Sequence, residues 1–288
     1  MGFFASVNGI VTPVEEAHVS VLDNGFTFGD SVYETLRTYR GRPFEWGRHL
    51  RRLRASAERL GFEIPLTNDE LLARLDAVLE RAANPESYIR LIVSRGVGDI
   101  SYHFERVKGP TVVIAVKPHG PYPGWHYTEG IPVALVAVRR NHPQALDPAI
   151  KSSNLLNNVL AQREAQARGA EEAVLLNLKG EIAEGASTNV FVVRGGTLLT
   201  PLLETGILAG ITREVVLELA EGLGIPRREQ ALVPEDLLSA DEAFLTSTTR
   251  EVVPIRTVDG RPLGRVQPGP VTQRILPSFR AYAPHHCD

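Results

Sequence analysis

Two apolar, largely β-branched runs, TVVIAV (111–116) and IPVALVAV (131–138), are held apart by KPHGPYPGWHYTEG, where proline and glycine recur without helical or strand period. Such runs read as buried strands, and the punctuated stretch between them suits neither a strand nor a long helix. The chain is therefore expected to divide into a smaller N-terminal α/β domain over 1–118, a linker over 119–129 and a larger C-terminal domain over 130–288. With 288 residues, 43% of them apolar, it can bury a substantial core. None of its apolar runs approaches the roughly twenty residues that a membrane-spanning helix takes.

The local signals are α/β throughout. In FFASVNGIVTP, Asn8-Gly9 separates two strand-like segments, and Gly41 marks another hairpin. EWGRHLRRLRASAERLG sets Leu50, Leu53, Ala57 and Leu60 on one helical face and closes on Gly61. NDELLARLDAVLERAA is a second helix, expected to be capped by Asn68 or Asp69, and SYIRLIVSRG and PTVVIAV follow as strands. Beyond the linker come a strand (IPVALVAV), a helix from Ser153 or Asn154 to Gly169, and a three-stranded meander turning at Lys179-Gly180 and Gly195-Gly196. The helix ITREVVLELAEGLG and the strand DEAFLTSTTREVVPI, which ends in a hydroxyl-rich turn, follow. The opening MGFFAS fits a short myristoylation pattern through Gly2 and Ser6, but the same residues make the first hairpin strand, and that reading is adopted.

A formal charge of -3 supplies no basic field for nucleic acid, and the single cysteine, Cys287, allows no internal disulfide. A soluble protein of the cytoplasm is expected, with no nucleic-acid or membrane partner. No metal site is expected either, since adjacent side chains in the tail HHCD point in different directions.

The chain carries four lysines against 27 arginines, and one of the four, Lys151, lies in the otherwise uncharged AIKSSNLLNNVL. A guanidinium stays protonated, whereas a lysine amine can become a neutral nucleophile toward carbonyl groups. That is the chemistry that holds pyridoxal phosphate, which also asks for a carboxylate at its pyridine nitrogen and a cradle for its phosphate. Glu184, beside Gly185 in IAEGASTN, is the candidate carboxylate. Gly210, Ile211 and Thr212 open a helix whose free amides favour an anion, Ser247, Thr248 and Thr249 add hydroxyls, and Arg52 is a candidate bidentate ligand. Taken singly, a lysine near a helix start, a turn glutamate or an arginine on a basic helix is usually solvated. The combination carries the reading.

The segments NGFTFGDSVYETLR, RHLRRLRASAERL, IKSSNLLNNVLAQREAQARGAEEAVLLN, IAEGASTNVF, LAGITREVV and DEAFLTSTTREVVPI follow one another in an order and spacing that resemble the fold type IV pyridoxal-phosphate enzymes. These are the branched-chain aminotransferases, D-amino acid aminotransferases and aminodeoxychorismate lyases. The resemblance covers nearly the whole chain and implies a two-domain α/β fold with a larger C-terminal pseudo-barrel domain. It also implies that Lys151 is the Schiff-base lysine and proton shuttle, and that Glu184 pairs with the pyridine nitrogen. The phosphate would be bound by Arg52, the amides of Ile211 and Thr212, and Thr248. Tyr33 would border the substrate pocket, Thr249 would lie near the substrate carboxylate, and the enzyme would be a homodimer.

Two departures bear on substrate. Branched-chain enzymes usually carry Asn-Tyr shortly after the lysine, where this chain has Asn154-Leu155, as D-amino acid enzymes do. The Arg-x-His with which the best-known D-amino acid enzymes grip the carboxylate is replaced by Ile100-Ser101-Tyr102. Arg37, Arg90, Arg95, His103 and Arg140 are the remaining candidates for the acid group. The expected activity is transfer of an amino group from a D-amino or branched-chain amino acid to a 2-oxo acid such as 2-oxoglutarate or pyruvate. The rivals are a pyruvate-releasing lyase of the aminodeoxychorismate type and a silent cofactor-binding protein.

Overall fold

A computed structural model describes residues 1–288 and resolves them into two units. The first comprises Met1–Gly120, Ile150–Asn154 and Ala283–Asp288, and the second comprises Pro121–Ala149 and Leu155–Tyr282. Two later pieces belong to the first unit, and one of them carries Lys151.

The sheet of the first unit is built from β1 (Phe4–Val7), β2 (Ile10–Pro13), β3 (Ser31–Tyr39), β4 (Arg42–Pro43), β5 (Ser87–Ser94) and β6 (Thr111–Pro118). Their order is β2-β1-β6-β5-β3-β4, with every pair antiparallel. The Asn8-Gly9 turn has positive φ at both residues, 51° and 93°, the requirement of a type I′ hairpin. Helices α1 (Asn24–Phe28), α2 (Trp46–Arg59) and α3 (Asn68–Ala82) complete the unit. The cap of α3 is Thr67 rather than Asn68 or Asp69. Its Oγ1 accepts from the Glu70 amide at 3.2 Å, and the Glu70 carboxylate accepts from the Thr67 amide at 2.7 Å, a reciprocal pair that those two residues, already inside the helix, cannot make.

Strand alternation decides which side chains of β3 face α2. Val32 and Leu36 lie in a core with Leu50, Leu53 and Ala57 of α2, so Glu34, between them, points the same way and is fully buried. Tyr33, Thr35 and Arg37 take the opposite face.

The second unit contains α4 (Trp125–Thr128), inside the stretch expected to be a structureless linker, and the strands β7 (Ile131–Arg139), β8 (Glu172–Leu176), β9 (Ile182–Gly185), β10 (Asn189–Arg194), β11 (Thr197–Thr200), β12 (Arg227–Glu229), β13 (Glu242–Ser247) and β14 (Glu251–Val258). They form one sheet in the order β12-β11-β10-β13-β14-β7-β8-β9, with β15 (Arg261–Pro262) paired to β14. The pairs β11/β12, β14/β7 and β7/β8 are parallel. Helix α5 (Leu156–Ala167) packs on β7 and β8, α6 (Ile211–Gly222) on β13 and α8 (Pro270–Tyr282), and α7 (Pro234–Leu238) completes the set.

Three expectations change here. The meander has four strands, and β9 and β10 are not neighbours in the sheet, because the chain turns sharply between them. The Gly185 amide donates to Thr188 O at 2.7 Å, and a Cβ on Gly185 would stand 2.0 Å from Thr188 Oγ1, so only glycine closes this turn. The helix after Lys151 begins at Leu156, and its N-cap, Leu155, makes no side-chain bond. Ser153 and Asn154 do not cap it because they are bound elsewhere: the Ser153 amide donates to Ser31 O at 2.9 Å, and Asn154 Nδ2 donates to Gly29 O at 3.0 Å. DEAFLTSTTREVVPI, expected as one strand, is the hairpin β13–β14 around Thr248–Arg250.

Candidate active site

In the first unit, Lys151 is fixed through its backbone. The Tyr33 amide donates to Lys151 O at 2.9 Å, Val32 and Ser152 form an antiparallel bridge, and the Lys151 amide donates to Ser56 Oγ of α2 at 3.2 Å. The Ser152 amide donates back to Ile150 O at 2.8 Å, which puts Lys151 at the apex of a γ-turn. The segment is thus an added edge to β3. Nζ lies 4.6 Å from the centroid of the Tyr33 ring, so Tyr33 and Lys151 are neighbours.

Arg52 is held by Glu34. Arg52 Nε donates to Glu34 Oε1 at 2.7 Å and Nη2 to Oε2 at 2.6 Å, while His49 Nδ1 bonds Oε2 at 2.7 Å. An ionised carboxylate only accepts, so His49 carries its proton on Nδ1 and, when neutral, presents a bare Nε2; that atom is buried without a hydrogen-bond partner. Burial by itself would raise the Glu34 pKa, but Arg52 and His49 outweigh it and hold the carboxyl well below the usual range. Burial pushes the His49 pKa down from its ordinary value and outweighs the opposite pull of Glu34. Removing one partner of such a buried pair costs about 3–5 kcal/mol because the other charge is left uncompensated.

The arginine candidates for a substrate carboxylate separate clearly. Arg95 is a staple: Nε and Nη2 donate to Asp30, Nη2 also to Leu60 O at 2.6 Å and Nη1 to Gly61 O at 3.2 Å, with Phe104 against its face. Arg37 lies over the Tyr39 ring at 4.2 Å, and His103 is an exposed partner of Glu105. Arg90 alone shares the ring with the lysine, its Cζ 3.5 Å from the Tyr33 centroid.

In the second unit, Glu184 ends β9 and is 5% exposed. It accepts from Arg140 Nε at 2.8 Å, the Leu208 amide at 3.0 Å and Asn189 Nδ2 at 3.4 Å, the acceptor-only pattern of an ionised carboxylate. Arg140 is therefore a support of Glu184. Asn189 is the hub that the sequence reading passed over. It bonds Glu184, donates to Leu208 O at 3.0 Å, and faces Thr246 across β10/β13. Its Oδ1 lies 1.9 Å from where a Cβ on Gly210 would stand.

That contact brings Glu184 and the start of α6 together. Gly210 caps α6 without a side-chain bond, Ile211 and Thr212 are buried, and the Thr212 hydroxyl is buried with no partner. A donor held at a helix N-terminus beside a glycine that admits no Cβ fits a phosphate oxygen. On the next turn, Ser247 Oγ accepts from the Arg250 amide at 3.3 Å. Arg250 binds Glu172 and Ser187, which ties the Thr248–Thr249 turn to the turn after Glu184. Glu34, His49 and Asn189 each lie in a matched segment and are polar at a position whose strand or helix neighbours are core.

The buried carboxylate and histidine set the sign of the acid response. Both groups have folded pKa values below their ordinary ones, so each stabilises the fold above its ordinary pKa and loses that contribution as pH falls. For His49 the loss starts below about 6.5, and for Glu34 it starts below about 4.5. Urea denaturation of the parent and His49→Gln between pH 7.5 and 5.5 is expected to show the parent's advantage shrinking toward acid. A constant difference contradicts this assignment.

Residues 31–258 match the family model for amino-transferase class IV. The chain is 41% identical over 277 residues to a Methanocaldococcus jannaschii protein to which a branched-chain-amino-acid aminotransferase activity is provisionally assigned, with 95% of this chain and 94% of that protein covered. It is 34% identical to the D-alanine aminotransferase of Bacillus licheniformis, with 93% of each covered. The crystal structure of the Escherichia coli branched-chain amino acid aminotransferase superposes with a TM-score of 0.91 at 33% identity, covering 99% of this chain and 96% of that one. The chain belongs to the class IV aminotransferases and is a transaminase.

Proposed function

We propose that this transaminase moves an amino group from a branched-chain or D-amino acid to a 2-oxo acid such as 2-oxoglutarate or pyruvate, with Lys151 as the catalytic amine. The observation that carries the reading is the attachment of Lys151 to β3 by its backbone, with Nζ beside the Tyr33 ring. Pyridoxal 5'-phosphate, the cofactor of the class, supplies the carbonyl carbon that takes up the amino group and a ring that draws electrons from the substrate.

The chain's own residues supply the rest. The Lys151 amine would hold the cofactor and, as a free amine, would take the proton from the substrate's α carbon. Glu184, kept as an acceptor by Arg140 and the Leu208 amide, would receive the hydrogen bond of a protonated pyridine nitrogen. Arg52, the Thr212 hydroxyl, the Ile211 and Thr212 amides, and Ser247 and Thr248 are the residues that would hold the phosphate. Tyr33 walls the substrate side, and Thr249 lies toward the carboxylate. Arg90 is the cation for the acid group, supported by its place on the ring that Lys151 also approaches and by the engagement of Arg95 and Arg140 elsewhere.

The working form is a homodimer. Val21, Phe26, Ile100, Tyr102 and Phe104 are each more than 60% exposed, and the loops that carry them are joined by the bridge of Asp23 with Val97 and by the Phe28–Tyr102 ring contact at 5.0 Å. An apolar surface of this kind asks for a partner. No helix is long and apolar enough to cross a membrane, and one cysteine asks nothing of an oxidising compartment, which supports the cytoplasm.

The near-visible spectrum of the cofactor-loaded protein tests the activity. D-alanine, L-leucine and an (R)-amine are added separately, and one amino acid is expected to bleach the yellow band; a 2-oxo acid then restores it, with parallel double-reciprocal plots. A band that no donor bleaches contradicts the reading. Pyruvate released from aminodeoxychorismate without an acceptor then points to a lyase, and no turnover at all to a silent binder. Sedimentation is expected to show an active dimer that persists on dilution; an active monomer contradicts the dimer.

A further inference from the structure

Glu34 is fully buried on the α2 side of β3, among residues that form an apolar core. Stability alone does not ask for a charge there, since a buried ion pair is commonly matched or bettered by well-packed apolar residues. What the carboxylate does is geometric. It takes two hydrogen bonds from one edge of the Arg52 guanidinium, and this side-on contact fixes the plane of the group in a way that a single bond does not. His49, one turn earlier on α2, bonds the same carboxylate through Nδ1 and restrains it in turn. Ser56, one turn later, receives the amide of Lys151. One face of α2 therefore presents His49, Arg52 and Ser56 in line, the first two bound to Glu34 and the third to the lysine segment.

We propose that Glu34, restrained by His49, is a positioning residue for the cofactor phosphate: it holds the Arg52 guanidinium in one orientation, and phosphate affinity depends on it through Arg52. The inference rests on the reading of Arg52 as a phosphate ligand. A bound Arg52 side chain enters the complex already ordered, whereas an unrestrained one must lose rotamer freedom on binding.

The test is the affinity of the cofactor-free protein for pyridoxal 5'-phosphate and, separately, for inorganic phosphate, with the urea midpoint of each sample measured alongside. Glu34→Gln is expected to weaken both ligands about tenfold, Glu34→Asp to recover part of the loss, and Arg52→Ala to weaken both at least as much as Glu34→Gln. The double variant is expected to bind no more weakly than Arg52→Ala, because the first residue acts through the second. Glu34→Gln with parental affinity and a lowered urea midpoint overturns the proposal and leaves Glu34 a structural residue. Losses that add in the double variant also overturn it. Parental affinity in Arg52→Ala removes the phosphate reading itself, and this proposal with it. Where Glu34→Gln does not fold, His49→Gln takes its place: about threefold weaker binding is expected, and unchanged affinity overturns the proposal.

Discussion

The attachment of Ile150–Asn154 to strand β3 is the constraint on which the rest depends. A side-chain amine can act at one point only when its backbone does not drift, and here the two amide bonds to Lys151 O and Ser31 O, the Ser56 contact and the Asn154 bond to Gly29 O fix five consecutive residues. The turn at Gly29 is part of the same device. Its φ is +70°, and a Cβ there would stand 2.7 Å from Asn154 Oδ1, so the close approach of the two segments requires glycine. Strand β3 then serves three groups at once: its edge holds the lysine segment, one face carries Tyr33 toward Nζ, and the other carries Glu34 into the core beneath α2.

The arginine-rich composition has a physical counterpart in the buried carboxylates. Glu34 is paired with Arg52, Glu184 with Arg140 and Glu172 with Arg250. A guanidinium offers a planar set of donors and keeps its charge when buried, so it can hold a carboxylate ionised without itself becoming neutral; an ammonium group does this less well. Each pair orders something beyond itself: a helix face, the end of β9, or two adjoining turns. Under the proposed function, Lys151 is the lysine for which loss of the proton is the useful property.

Much of the local structure was legible in the sequence. The faces of α2 and α6, the Asn8-Gly9 hairpin and the apolar strands β5 to β7 follow from periodicity and turn chemistry, and Arg52, Lys151, Glu184 and Thr212 follow from ordered motifs. What was not legible depends on pairing between distant segments. Nothing local says that Ser153 and Asn154 bind Ser31 and Gly29 instead of capping α5, or that β3 turns a glutamate inward between Val32 and Leu36. The substrate arginines were ambiguous for the same reason. Arg90, Arg95 and Arg140 look alike as letters, and only their partners separate a staple and a carboxylate support from the cation on the Tyr33 ring.

The most direct test of the account is to trap the cofactor on the protein with borohydride and map the labelled peptide by mass spectrometry. Of the four lysines, Lys108, Lys117, Lys151 and Lys179, the account expects the label on Lys151 alone, with Lys151→Ala taking up none. A label on any of the other three, or an unlabelled protein that still turns over amino groups, contradicts it.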